Sequence, residues 1–171
     1  MKTLKGIAAS YGIAIGPAFL YQRAELEIER GVVEGVEAEI ARFDAARELA
    51  RQQLDEIYQK AEVESGAAQA EIFKAQAMML DDPELVDTVR KLVAEQKVNV
   101  EAALYDTAEN FAQMLEALED EYLSARALDV RDVTSRILRN LMGVSESPSD
   151  ELDTPAIIVA KDLTPSDTIL S

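Results

Sequence analysis

The chain has 171 residues, 33 acidic against 17 basic side chains for a formal net charge of −16, and neither cysteine nor histidine. That balance excludes the basic footprint of a nucleic-acid binder, and the missing residue types exclude disulfides, thiolate chemistry, histidine acid–base chemistry and Cys or His metal sites. With 48% hydrophobic but only 5% aromatic residues, the composition suits helices packed through Ala, Leu, Ile and Val, under an acidic surface that serves solubility or speeds encounter with a basic partner.

No apolar run approaches the length of a bilayer span, and the opening residues Met1 to Gly6 have no apolar leader core. A cytoplasmic protein without membrane insertion is expected. Across residues 3–21, short apolar runs broken by Gly6, Gly12 and Gly16-Pro17 predict two short strands, with a turn near Ser10-Tyr11-Gly12. A phosphate-binding glycine loop is disfavoured there, because neither G-x-G-x-x-G nor a Lys-Ser/Thr ending is present. From residue 32 to 64 the pattern turns helical. Val36, Ile40, Phe43, Arg47, Ala50, Leu54, Ile57 and Ala61 make a seam at spacings of four and three, in which Arg47 is the polar interruption with a stem able to snorkel. Ser65-Gly66 stops the repeat and predicts a hairpin rather than an extended coiled coil.

The most informative stretch runs from Glu71 to Leu85. Ile72, Phe73, Gln76, Ala77, Met79 and Leu80 predict a helix ending near Leu80, and Asp82-Pro83-Glu84 predicts the start of the next. Asp82 can cap free amides, Pro83 suits the first helical position, and Glu84 faces the positive end of the dipole. Two helices therefore meet at a corner carrying Met78, Met79 and Leu85. Flexible methionines suit a surface that accepts another protein, and they equally suit the filling of a corner's core.

Leu85, Val86, Val89, Leu92 and Val93 predict a short helix to about Lys97, and Asn99 is expected to cap the next. That helix carries Ala103, Leu104, Thr107, Phe111, Met114, Leu115 and Leu118 on one side. A further helix through Tyr122, Leu123, Arg126, Val130, Val133, Ile137, Leu138 and Leu141 is expected to close at Gly143 in the left-handed conformation. The acidic run Glu116, Glu119, Asp120, Glu121 reads as solvated carboxylates between helices in preference to a metal site, since it lacks the glycine-turned loop of an EF-hand. Residues 145–154 read as a linker, Ala156 to Ala160 as a buried strand, and Thr164-Pro165-Ser166-Asp167 as a helix cap with Asp167 closing a capping box.

Four segments together resemble Enzyme I, the phosphoenolpyruvate-protein phosphotransferase family of bacterial sugar uptake: GIAASYGIAIGPAFL, EIFKAQAMMLDDPEL, LEDEYLSARALDVRDVTSRIL and IIVAKDLTPSDT, in the family's order. The resemblance implies a mainly α fold: two helical hairpins at residues 32–143, inserted in an incomplete α/β phosphohistidine-type domain of residues 1–21 and 155–171. Residues 22–31 and 144–154 are the expected linkers. In that family phosphate passes from phosphoenolpyruvate, with Mg²⁺, to a histidine in a motif downstream of the DLTPS segment, and on to the phosphocarrier HPr. This sequence ends before that histidine, so a fragment is expected that needs no cofactor itself, transfers no phosphate and retains at most HPr docking. The whole enzyme is expected to dimerise through a C-terminal domain. The strand pieces here are expected to fray or to pair between copies in a swapped dimer.

By the resemblance, Met78, Met79 and Leu85 are apolar counterparts of HPr, with Leu115 a neighbour. Asp82 and Glu84 are its charge partners, and Arg126 matches a basic interface residue, or else pairs with Asp129 or Glu121. Three positions depart from the family pattern: Tyr11 stands where proline is usual, Ala67-Ala68 where acidic residues are frequent, and Gln76 where many members have histidine. A non-catalytic helical adaptor and a nitrogen-related or fused multidomain paralogue are the alternatives.

Overall fold

A computed structural model of the chain describes residues 1–7, 11–21, 25–144 and 155–170, with 168–170 as backbone alone. Ser10 of the predicted turn and the linker residues 22–24 and 145–154 lie outside the described residues.

The predicted seam organises the helices. In α1 (Val36–Ser65), Phe43, Ala50, Leu54, Ile57 and Ala61 are buried, as the spacing requires. Gly66 follows at φ +91° and ψ 167°, a region open in practice to glycine alone, and reverses the chain into α2 (Ala67–Met79). Arg47 does not snorkel. Its side chain is 11% exposed, because its guanidinium finds the Leu80 carbonyl and the carboxylates of Asp44 and Asp81 at the bundle's edge rather than water.

The corner forms as predicted. α3 (Pro83–Gln96) begins on Asp82, whose carboxylate accepts the Glu84 amide at 2.9 Å. Lys97, at φ +54°, ends the helix in the left-handed conformation. Asn99 stands at the N-terminal boundary of α4 (Val100–Ala117), yet its side chain caps nothing there. Instead its Oδ1 accepts the Gly31 amide at 2.9 Å and its Nδ2 donates to Glu29 O at 2.8 Å. The backbone of residues 31–33 is held beside it, pairing with 97–99 through Val33 N to Lys97 O at 2.8 Å and Asn99 N to Gly31 O at 3.1 Å.

The second hairpin joins α4 to α5 (Glu121–Met142). Asp120 caps α5 by accepting the Leu123 amide at 3.0 Å, and Gly143 closes it at φ +66°. Ala50, Ala61, Ala70, Ala103, Ala108, Ala112 and Ala127 are each no more than 2% exposed, which lets the helix axes approach closely. The apolar stripe of α4 is wider than the core it faces. Leu104, Ala108 and Ala112 are buried, whereas Met114 and Leu118 are 66% and 64% exposed.

At the chain's ends, β1 (Ala18–Tyr21) pairs in parallel with β2 (Ile157–Ala160), Ala18 opposite Ile157 and Tyr21 opposite Ala160. The sequence predicts two strands in residues 3–21; among the described residues there is one. Ile13 and Ile15, both 98% exposed, have no neighbouring strand among the described residues. β2 is not buried on both faces as its continuous apolar run suggests. Its exposure alternates, because a two-stranded sheet here is covered on one face only. The predicted capping box does form at α6 (Pro165–Leu170): Asp167 Oδ2 accepts the Thr164 amide at 2.8 Å and Thr164 Oγ1 accepts the Asp167 amide at 3.4 Å. Two further bonds tie these ends together and to the bundle. Tyr21 Oη donates to Asp167 Oδ1 at 2.7 Å, and Ser166 Oγ donates to Asp132 Oδ1 of α5 at 3.0 Å.

Candidate docking surface

The corner opens onto a groove whose walls come from the end of α2, the start of α3, the later turns of α4 and the first turns of α5. It consists of two hollows. The smaller, of about 140 Å³, is lined by Met79, Asp82, Leu85, Leu115 and Arg126 together with Phe111, Tyr122 and Leu123. The larger, of about 570 Å³, takes in Asp82, Glu84 and Leu85 with Leu92, Phe111 and Met114. Asp82, Leu85 and Phe111 line both, and so form the wall between them.

Six of the seven candidate residues are thus brought to one groove, and Met78 is not. Consecutive helical residues point about 100° apart, so Met78 and Met79 cannot share a direction. Met78 is 72% exposed and lines neither hollow, whereas Met79 is 8% exposed and belongs to the core as well as to the groove floor. The sequence marks Phe111, Met114, Tyr122 and Leu123 only as helix-face residues. The over-wide stripe on α4 is the sequence signal that this face extends past the core into the groove.

The charges at the groove are of two kinds. Asp82 is spent partly on capping α3, while Glu84 is exposed. Arg126 is exposed and, among the described residues, forms no ion pair with Asp129 or Glu121, although its charge reaches Asp129. The acidic run is partly engaged in structure: Asp120 caps α5, and Glu116 and Glu109 hold Arg131 across α4 and α5. That Arg131 guanidinium holds the Glu109 carboxyl below its ordinary range.

Beneath the corner, fully buried Gln76 donates through Nε2 to Asp129 Oδ1 and Asp132 Oδ2, both at 3.3 Å. Gln76 therefore links α2 to α5, and through Asp132 to Ser166 of α6.

The PEP-utilising enzyme N-terminal family model matches residues 5–126. The chain belongs to that family. Phosphoenolpyruvate-protein phosphotransferases of Geobacillus stearothermophilus and Bacillus sp. (strain S) are 45% and 44% identical to this family member over 167 residues, 98% of the chain. The chain spans 29% of the length of each. A solved structure, the NMR solution structure of an Enzyme I protein (nEIt), superposes with a TM-score of 0.81 at 42% identity, covering 98% of this chain and 68% of that one. No helix among the described residues of this PEP-utilising enzyme N-terminal chain is long and apolar enough to cross a membrane.

One pH effect follows from the Gln76 cluster. Burial pushes the Asp129 carboxyl above its ordinary 3.8, the charge of Asp132 adds to the push, and the Gln76 bond and Arg126 oppose it. With the folded value raised, the folded state holds this proton more tightly than the unfolded state. Ionised Asp129 therefore costs stability, beginning as pH rises through 3.8 and complete above the raised folded value. Asp129→Asn keeps an acceptor for Gln76 and removes the charge. It is expected to stabilise the fold near neutral pH and to lose that advantage at about pH 3. Urea unfolding at both pH values checks this; an equal difference between the two proteins at both would contradict it.

Proposed function

We propose that this chain is the part of a phosphoenolpyruvate-protein phosphotransferase that receives the phosphocarrier HPr, and that the groove at the α2–α3 corner is where HPr docks. What supports the reading is the convergence of Met79, Asp82, Glu84, Leu85, Leu115 and Arg126 from four helices on one groove, in a chain related by sequence and fold to phosphotransferases. An apolar centre with carboxylates at its rim suits a partner that presents an apolar patch among basic side chains.

The whole enzyme takes phosphate from phosphoenolpyruvate onto a histidine before passing it to HPr. These residues contain no histidine, so the phosphorylated group comes from elsewhere in the enzyme and the chain alone transfers nothing. Mg²⁺ serves that phosphoryl chemistry. The 116–121 carboxylates are a poor donor set for it, since Glu116 is held by Arg131 and Asp120 is committed to a helix cap.

Calorimetric titration of the chain with unphosphorylated HPr tests the proposal. Saturable binding that weakens with salt is expected, without transfer of phosphate from phosphoenolpyruvate to HPr. An absence of binding at millimolar concentrations would remove the docking role.

A further inference from the structure

Behind the groove, the corner is fastened to α1 by a charge cluster that lines neither hollow. α2 has no basic residue in its last turn, although the carbonyl end of a helix favours a cation. α1 supplies one. Arg47 Nε donates to Leu80 O at 2.8 Å, and its Nη2 donates to Asp81 Oδ1 at 2.9 Å. One turn further along α1, Arg51 donates to both oxygens of Asp81 at 2.8 Å, the paired geometry that guanidinium and carboxylate favour. The Arg51 bond, with Arg47 beside it, holds the Asp81 carboxyl below its ordinary range. Phe43 lies under the Arg47 guanidinium, 5.4 Å from its ring centre. On the α3 side, Asp44 accepts from both Arg47 and Arg90, at 3.0 and 2.8 Å.

Leu80 and Asp81 are the two residues between the end of α2 and the Asp82 cap of α3. Their backbone turn is closed by Asp81 N to Met78 O at 3.3 Å and Asp82 N to Met79 O at 3.2 Å. The direction in which Met79 leaves α2, and in which Asp82 and Leu85 enter α3, therefore depends on where this turn is held.

We propose that Arg47, Arg51 and Asp81 are positioning residues that hold the corner on α1 and so set the groove's affinity for its basic partner without touching that partner. The inference rests on the docking function proposed above. For Arg51 and Asp81 a purely stabilising role fits the exposure poorly, whereas Arg47, 11% exposed, also serves the core. The Arg51 and Asp81 side chains are 38% and 58% exposed, and ion pairs so placed contribute little to global stability.

Arg51→Gln separates positioning from charge by the sign of its effect. Removing Arg51 makes the corner more negative, so attraction of a basic partner by charge alone would tighten binding. Loss of positioning weakens it instead, by about three- to tenfold. The experiment measures calorimetric affinity of the chain for unphosphorylated HPr, the melting temperature, and the methyl resonances of Met79 and Leu85 in R51Q, D81N and the double variant. Expected are weaker binding in both single variants and a double variant little worse than D81N, since both remove the Arg51–Asp81 contact and D81N also weakens that of Arg47. Displaced methyl resonances should accompany a melting temperature lowered by no more than about 3 °C. R51Q binding HPr as well as or better than the parent chain, with unmoved resonances, would overturn the proposal. If the parent chain does not bind HPr, the docking function fails by itself; the methyl resonances still decide whether the cluster positions the corner, and unmoved resonances reject it.

Discussion

Phe43→Ala is expected to lower the unfolding free energy by about 3–5 kcal/mol, the range for emptying a fully enclosed aromatic site. Phe43 is 0% exposed in the core cluster, where closely packed helices leave little freedom to collapse around a void. Its loss also removes the surface on which the Arg47 guanidinium rests, so the corner loosens with the core. A drop in melting temperature of roughly 6–20 °C should follow for a domain of this size. Leu49→Ala is the control. Leu49 is 44% exposed, and its truncation should change stability by less than about 1 kcal/mol. Differential scanning calorimetry distinguishes the two, and a Phe43 variant that melts with the Leu49 variant would show that the α1 seam is not the core.

The largest effect on partner binding is expected at Leu85. It lies half-buried in the wall between the hollows, where a carboxylate would meet Phe111 and Leu115 rather than water. Leu85→Asp should weaken HPr binding by about 1–3 kcal/mol, roughly ten- to hundredfold. Met79 is a poorer choice, because a charge at a residue only 8% exposed attacks the core before it attacks the groove. Met78→Asp provides the contrast: outside both hollows and 72% exposed, it should change affinity less than Leu85→Asp. Circular dichroism and melting must first confirm that both variants keep the fold. Equal losses at 78 and 85 would move the docking site off the groove, towards the outer face of α2.

Much of the helical architecture was legible in the residue order because its causes are local. The α1 seam, the reversal at Gly66, the Asp82-Pro83 start, the left-handed Gly143 and the Thr164–Asp167 box each depend on side chains within a turn or two of one another. The elements that departed from expectation depend on distant partners. Asn99 abandons its cap because residues 29–31 lie within reach; Arg47 is half-buried because Leu80 and Asp81 fold back onto α1. Strand structure in residues 11–21 is limited to the four residues opposite β2.

At the groove, the residue types that gather at the corner and the acidity of the surrounding chain follow from the residue order. Long-range packing alone puts Met79 rather than Met78 on the groove floor, joins Phe111 to Leu85 in dividing the groove, and sets two arginines on Asp81. The reason is geometric. Helical periodicity specifies the face of its own helix on which a residue lies, whereas a groove exists only where faces of several helices converge, and that convergence is set by long-range packing.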